Sequence, residues 1–217
     1  MPLLFKKNYS TQTLVGVWQI EETEFFFLHH LLLSNEEQSE ITLFSPSKRL
    51  EWLAVRYLLH VLLGKTERVV CFKDEFGKPY LPNHPSFYIS LSHSQDKVAV
   101  VISTQCVGID IQYFTTRIER IAAKFMREEE LQSLRLSTQT THLLAYWGAK
   151  EALYKAYGKK ELDFKQHILV EPFTFDLTIG KATGVITKHD FYQTYRLDYA
   201  LVEKFMLVVA ESETILN

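Results

Sequence analysis

Cysteine, glycine and proline are scarce in this chain, and excess charge of either sign is nearly absent. Cys71 and Cys106 are the only cysteines in 217 residues, so a disulfide scaffold and a Cys-x-x-Cys zinc or redox site are excluded. Both lie in apolar, strand-like runs and read as buried free thiols of a reducing compartment. Eight glycines and six prolines, scattered along the chain, leave no low-complexity linker, and no internal repeat is visible. A formal net charge of −2 argues against general nucleic-acid binding, which wants a basic surface. Residues 25–33 form an apolar run too short, and too interrupted by histidine, to span a bilayer. The opening Met-Pro-Leu-Leu-Phe-Lys-Lys has no signal-peptide layout. A cytoplasmic protein with neither a membrane nor a nucleic-acid partner is expected. Familiar catalytic signatures are missing too: there is no Gly-x-Ser-x-Gly elbow, His-Glu-x-x-His, Walker loop or Gly-x-Gly-x-x-Gly.

What is present is a soluble, globular composition, 47% hydrophobic and 23% charged, in one large domain or two small ones. Residues 14–20 read as a strand, whereas 25–33 fit either a helix or a buried strand. Ser45-Pro46 opens a helix running to about residue 63, closed by Gly64. Short strands are expected over 68–72, 86–91, 97–103 and 107–112. Gly77 permits a turn that holds Lys78 between glycine and proline. An amphipathic helix is expected over 117–126, its apolar stripe of Ile118, Ile121, Ala122 and Phe125 set beside a basic one of Arg117, Arg120, Lys124 and Arg127. The remainder is mostly strand, at 173–178, 184–187, 192–199 and 206–210. The pattern is α+β with mainly antiparallel sheet.

The most informative segment is a helix over 143–157, with Thr140 or Thr141 as N-cap and Gly158 as C-cap. Trp147, Glu151 and Lys155 are four apart and share a face. Alone, Glu151 and Lys155 read as a surface ion pair. Upstream, Asp110 and Gln112 point to one side of a strand by its period of two. Asp110 and Glu151 together can chelate a hard divalent ion through oxygen, with water and a ligand phosphate completing the shell. Lys78, His93, Lys155, Arg49 and Arg56 are donors suited to phosphate, and such a set points to a substrate with more than one phosphate. Ser92 and His93 are no nucleophile–base pair, because neighbours on a strand face opposite ways.

In order along the chain stand Gly77-Lys78-Pro79, Ser90-Leu91-Ser92-His93-Ser94, Gly108-Ile109-Asp110-Ile111-Gln112, Phe125 with Glu130, and Trp147-Gly148-Ala149-Lys150-Glu151-Ala152 with Lys155. This succession resembles the 4′-phosphopantetheinyl transferases, in particular the long single-chain type first known from peptide-antibiotic synthesis (the surfactin-synthetase-activating type). The resemblance implies two similar α+β halves, 1–106 and 107–217, forming a pseudo-dimer of antiparallel sheets and packed helices with the active site in the cleft between them. It implies an enzyme of the holo-[acyl-carrier-protein] synthase kind, which moves the 4′-phosphopantetheine arm of coenzyme A to a serine of an apo acyl or peptidyl carrier protein and releases adenosine 3′,5′-bisphosphate. Asp110 and Glu151 then take the magnesium-ligand positions, Glu151 or a water it holds acts as base, and Lys155 stabilises the pyrophosphate. Arg49, Arg56, Lys78, Ser92 and His93 fall to the nucleotide end. Gln112 stands where many relatives carry a second acid, although some, the human type among them, have glutamine there. Its amide is a weak ligand, or gives way to water. Glu130 takes a further acidic position, Lys150 has no assigned role, and Trp147 reads as a packing residue. The basic stripe suits docking of an acidic carrier, and a chain already holding two halves is expected to be a monomer. A non-catalytic binder of coenzyme A or carrier protein, degenerate at Gln112, and a hydrolase of a diphosphate compound are the competing readings.

Overall fold

The computed structural model of the chain describes residues 3–65 and 69–213. Two antiparallel sheets lie back to back, each with helices on its outer face. The first contains β1 (Leu3–Asn8), β2 (Thr13–Gln19), β3 (Phe72–Lys73), β4 (Pro79–Tyr80), β5 (Tyr88–Ser94) and β6 (Lys97–Ser103), in the order β1-β2-β6-β5-β4-β3. Helices α1 (Glu24–Leu31), α2 (Asn35–Thr42) and α3 (Pro46–Leu63) belong with it. The second contains β7 (Val107–Tyr113), β8 (Ile168–Val170), β9 (Ile179–Lys188), β10 (Phe191–Val202) and β11 (Phe205–Ser212), in the order β7-β11-β10-β9-β8. With it go α4 (Arg117–Phe125), α5 (Glu128–Gln132), a 3₁₀ turn at Leu136–Thr138 and α6 (Gln139–Tyr157). The fold is α+β, as the pattern of elements predicts.

Strand periodicity sorts the side chains into three packed zones. In β6, Val98, Val100 and Ile102 face α3 and join Leu53, Leu58, Leu59 and Leu62. The alternate residues Ala99 and Val101, with Val15 and Val17 of β2, meet Ile109 and Ile111 of β7 and Leu207 and Val209 of β11. The other face of β11, Met206, Val208 and Ala210, packs under α6 on Leu144, Ala149, Ala152 and Leu153. Both faces of β6 are covered, so all seven of its residues are buried, and its sequence is a continuous apolar run rather than an alternation. Each fully buried valine or leucine in these layers contributes about 1.5–3 kcal/mol relative to exposure.

Several expectations need correction. Residues 173–178 form no strand. Asp176 Oδ1 accepts the Thr178 N–H at 2.7 Å, which fixes a turn, while Phe173 and Phe175 turn inward onto His142 and Tyr199. The strand expected over 68–72 is reduced to Phe72–Lys73, and Arg68 lies outside the described residues. Neither Thr140 nor Thr141 caps α6, which begins at Gln139 with no side-chain cap. The Thr140 hydroxyl is bonded to Glu119 and that of Thr141 to the Thr138 carbonyl. The ambiguous run at 25–33 is the helix α1. Helix α2 was not anticipated, although Ser34 and Glu37 form the capping box that its Ser-x-x-Glu spells. Both cysteines are free, and only Cys71 is fully buried. Among the described residues no helix is long and apolar enough to cross a membrane.

Candidate functional site

The site exists because α6 approaches β7 closely, and two glycines allow it. A Cβ on Gly108 would stand 1.8 Å from the Ala152 carbonyl oxygen, and one on Gly148 would stand 2.8 Å from Val208 Cγ2. With both positions bare, the face of β7 carrying Gly108, Asp110 and Gln112 lies under the helix face carrying Gly148, Glu151, Ala152 and Lys155. Gly148 and Asp110 are neighbours in space, since a Cβ on the glycine would be 3.8 Å from Asp110 Oδ2. The sequence separates Asp110 from Glu151 and Lys155 by some forty residues, and this contact removes that separation.

Lys155 Nζ donates to Asp110 Oδ1 at 2.8 Å, to Ser92 Oγ at 2.9 Å and to the Ile109 carbonyl at 3.0 Å. Its three protons are thereby all placed. Asp110 Oδ1 also accepts the Ser92 hydroxyl at 3.0 Å. Asp110 Oδ2, by contrast, is buried with no hydrogen-bond partner. Glu151 is held half-buried on the adjacent turn of α6. Burial raises its pKa above the usual carboxylate range, the Asp110 charge raises it further, and Lys155 partly offsets both. A buried oxygen without a donor beside a second carboxylate that resists ionisation is an arrangement short of positive charge. A hard divalent ion fits it through Asp110 Oδ2 and Glu151. Among the described residues no third His, Cys, Asp or Glu joins the pair, so water, ligand oxygens or the amide of Gln112, two residues along the same strand face, would complete the shell.

Lys155 also lines a cavity of about 340 Å³ bounded by α3, the β3–β5 side of the first sheet and the C-terminal end of α6. Among the described residues seven lysines and arginines face it, namely Lys48, Arg56, Lys73, Lys78, Lys155, Lys159 and Lys160, against one carboxylate, Glu51. That imbalance suits a polyanion. Arg56 lies 3.3 Å above the Trp52 ring centre, and its buried Nε has no partner. Burial lowers its pKa to about 10, which leaves it cationic at neutral pH. His93 is exposed on the wall, 3.2 Å from Glu51. Lys78 reaches out of its turn to the C-terminal end of α6, where Nζ donates to the Ala156 carbonyl at 2.6 Å. The left-handed Gly158, at φ +69°, leaves room for it, since a Cβ there would lie 2.2 Å from Lys78 Cδ.

Thus Arg56, Lys78, Ser92, His93 and Lys155 are brought to one cavity, with Asp110 and Glu151 at its Lys155 end. Arg49 is not. Its guanidinium pairs with Glu24 of α1 at 2.8 Å and faces a separate hollow near Leu28 and Ile41, because two helical turns separate it from Arg56. Glu130 does not line the cavity either. It is fully buried against Lys150, 2.8 Å away, and accepts the N–H groups of Arg127 and Val170. Lys150 Nζ donates further to the carbonyls of Phe125, Phe164 and Ile168, which gives the motif lysine a structural place. Trp147 packs between Phe125 and Phe164. Arg117, Arg120 and Lys124 remain exposed on α4. Arg127 leaves the stripe, since it bonds the Lys165 and Gln166 carbonyls. Lys48, Trp52, Lys73, Lys159 and Lys160 were missed; the spacing of four through Lys48, Trp52 and Arg56 was the available signal.

Comparison with known proteins gives a family likeness for part of the chain. Residues 106–201 match the family model described as the 4′-phosphopantetheinyl transferase superfamily. A 4′-phosphopantetheinyl transferase of Aneurinibacillus migulanus is 35% identical over 112 residues, covering 50% of this chain and 46% of the relative. One of Bacillus pumilus is 32% identical over 154 residues, 67% of this chain and 64% of the relative. One of Bacillus subtilis strain 168 is 32% identical over 89 residues, 40% of either chain. The matched part therefore spans less than two thirds of each of these relatives.

Proposed function

We propose, from the match of residues 106–201 to the 4′-phosphopantetheinyl transferase superfamily and the likeness to the relatives above, that the chain belongs to this superfamily and transfers the 4′-phosphopantetheine group of coenzyme A to a serine of an apo acyl or peptidyl carrier protein. In this reading it has holo-[acyl-carrier-protein] synthase activity, and residues 1–106 and 107–217 are two halves of a pseudo-dimer. One observation carries the proposal: Asp110, Glu151 and Lys155 meet at the end of a cavity lined, among the described residues, by seven cationic side chains and a single carboxylate.

The cavity would take coenzyme A with its phosphates against Arg56, Lys78, Lys155 and the lysines at its rim. Charge-assisted hydrogen bonds to several phosphate oxygens give both affinity and register. The carrier serine oxygen attacks the phosphorus that bears the pantetheine arm. A new phosphoester bond forms, the pyrophosphate bridge breaks, and adenosine 3′,5′-bisphosphate departs. Glu151, directly or through water, takes the serine proton. Its raised pKa makes it a stronger base than an ordinary carboxylate. Lys155 stands where negative charge gathers on the departing bridge. To reach a phosphate it must give up one of its present three partners. A magnesium ion at Asp110 and Glu151 would neutralise pyrophosphate charge when bound. The exposed cations Arg117, Arg120 and Lys124 of α4 offer an acidic carrier helix a complementary surface.

The test is intact-mass analysis of apo carrier proteins incubated with the protein, coenzyme A and magnesium. A gain equal to one phosphopantetheine group supports the reading. No gain across fatty-acid, polyketide and peptide carriers would overturn it, and loss of coenzyme A without a carrier would point to hydrolysis instead. Glu151→Gln should slow transfer by at least about a hundredfold.

A further inference from the structure

Ser90, Ser92 and Ser94 alternate along β5, so all three hydroxyls project from one face, while Ile89 and Leu91 on the other face pack toward α3. Opposite that face runs β7, which is the edge of the second sheet. Its outward N–H groups have no strand to pair with, and buried N–H groups without acceptors are costly. The serines supply the acceptors. The N–H of Ile109 donates to Ser90 Oγ at 3.1 Å, that of Ile111 to Ser92 Oγ at 3.2 Å, and that of Tyr113 to Ser94 Oγ at 3.0 Å. Each pair is 19 residues apart, so the three contacts form a ladder in constant register that joins one sheet to the edge of the other.

The middle rung differs from its neighbours. Besides accepting from Ile111, Ser92 donates to Asp110 Oδ1 at 3.0 Å and accepts from Lys155 Nζ at 2.9 Å. A hydroxyl has one proton and two lone pairs, so Ser92 is fully used within the protein and has nothing left to hold a nucleotide. Because its own oxygen is pinned by the β7 backbone, the bonds it makes to Asp110 and Lys155 fix those two groups relative to the seam between the sheets. Its donation to Oδ1 also directs the other oxygen, Oδ2, to remain free.

We infer that Ser92 is a positioning residue, which orients Asp110 and Lys155 for phosphoryl transfer from the seam of the two sheets, while Ser90 and Ser94 serve the seam alone. The inference rests on the transfer reading given above. All three rungs satisfy one backbone N–H each, so a role confined to holding the sheets together predicts the same outcome for all three alanine variants.

The experiment compares Ser90→Ala, Ser92→Ala and Ser94→Ala, with Ser92→Cys as a variant that nearly keeps the volume but forms poor hydrogen bonds. Wild-type transfer is measured first, and its failure counts against the activity and not against Ser92. With transfer established, Ser92→Ala and Ser92→Cys should lower kcat by about tenfold or more, the loss of bonds to two charged groups, with KM for coenzyme A little changed. Ser90→Ala and Ser94→Ala should keep kcat near the wild-type value despite comparable losses in melting temperature. Crystal structures give a readout independent of turnover. The 2.8 Å contact between Lys155 Nζ and Asp110 Oδ1 should open in the Ser92 variants and persist in the other two. Equal kcat for all three alanine variants, a rise in KM alone, or an unmoved Lys155–Asp110 pair in Ser92→Ala would overturn the inference.

Discussion

Replacing Lys150 by methionine separates a structural lysine from a catalytic one. The residue stands immediately before Glu151 in the motif proposed to carry the chemistry, so a direct role in transfer is the natural suspicion. Its surroundings argue otherwise. Lys150 is fully buried, as is Glu130 opposite it, and three backbone carbonyls share its two remaining N–H donors. Burial lowers the lysine pKa while Glu130 opposes that shift, as expected of a pair that survives only through mutual compensation. Methionine keeps most of the stem and its packing but removes the ammonium. The Glu130 carboxylate is then buried without a counter-charge, and the carbonyls of Phe125, Phe164 and Ile168 lose their shared donor. Stripping one member from such a pair costs about 3–5 kcal/mol, against a total stability of about 5–15 kcal/mol for a typical domain. In a chain of this size that corresponds to a fall in melting temperature of about 6–20 °C. Urea unfolding of Lys150→Met, Glu130→Gln and the double variant should show coupling of about 1–3 kcal/mol, because the double variant leaves no isolated charge. At a temperature where Lys150→Met is folded, kcat should stay near the wild-type value. Loss of transfer with a stability change below about 1 kcal/mol would refute the reasoning and move Lys150 into the chemistry.

His142 should make the fold acid-sensitive. It is buried among Tyr146, Phe173 and Phe175 with neither ring nitrogen hydrogen-bonded, and burial, then Arg135, pushes its pKa down to about 4. Below about pH 6.5 the unfolded chain takes up a proton that the folded one refuses, so stability falls as pH drops from about 6.5 toward 4, by about 2 kcal/mol at pH 5. His142→Phe should remove that component; equal differences between pH 7 and pH 5 in the two proteins would contradict it. Gly108→Ala sets a Cβ 1.8 Å from a backbone oxygen of α6, a clash that no side-chain rotation relieves. It should cost at least about 1–3 kcal/mol and lower transfer further by lifting Glu151 away from Asp110. Gly148→Ala meets a side chain instead and should be milder. Unaltered melting and turnover in Gly108→Ala would show that the approach of helix and strand is not what builds the site.

Much of the site is legible in the amino-acid sequence, because motif spacing and local geometry coincide. The four-residue steps through Trp147, Glu151 and Lys155 and the alternation of Asp110 and Gln112 are properties of a single helix and a single strand. Boundaries are clear where a local signal is strong, as in β6, whose apolar run follows the two-residue turn at Gln95 and Asp96, and in α3, framed by Ser45-Pro46 and Gly64. They fail where long-range packing decides. Phe173 and Phe175 have strand-forming side chains, but an aromatic cluster around His142 takes them out of any sheet. The short strands β3, β4 and β8 carry too few residues to show a period.

What the sequence by itself determined is which residues are candidates for the chemistry, since acids, lysines and glycines in ordered motifs are written in the chain. Only the tertiary structure decided how they are used. Arg49 and Arg56 share a helix face, yet the distance along that helix sends one to an ion pair with Glu24 and the other to the cavity. Glu130 and Glu151 are both acids near the motif, yet one is neutralised by a buried lysine and the other is left facing Asp110. Ser90, Ser92 and Ser94 look alike in sequence, and their difference appears only when β7 is laid across them. Partner choice for a charge or a hydroxyl is set by distances of about 3 Å between residues far apart in the chain. No local periodicity encodes those distances.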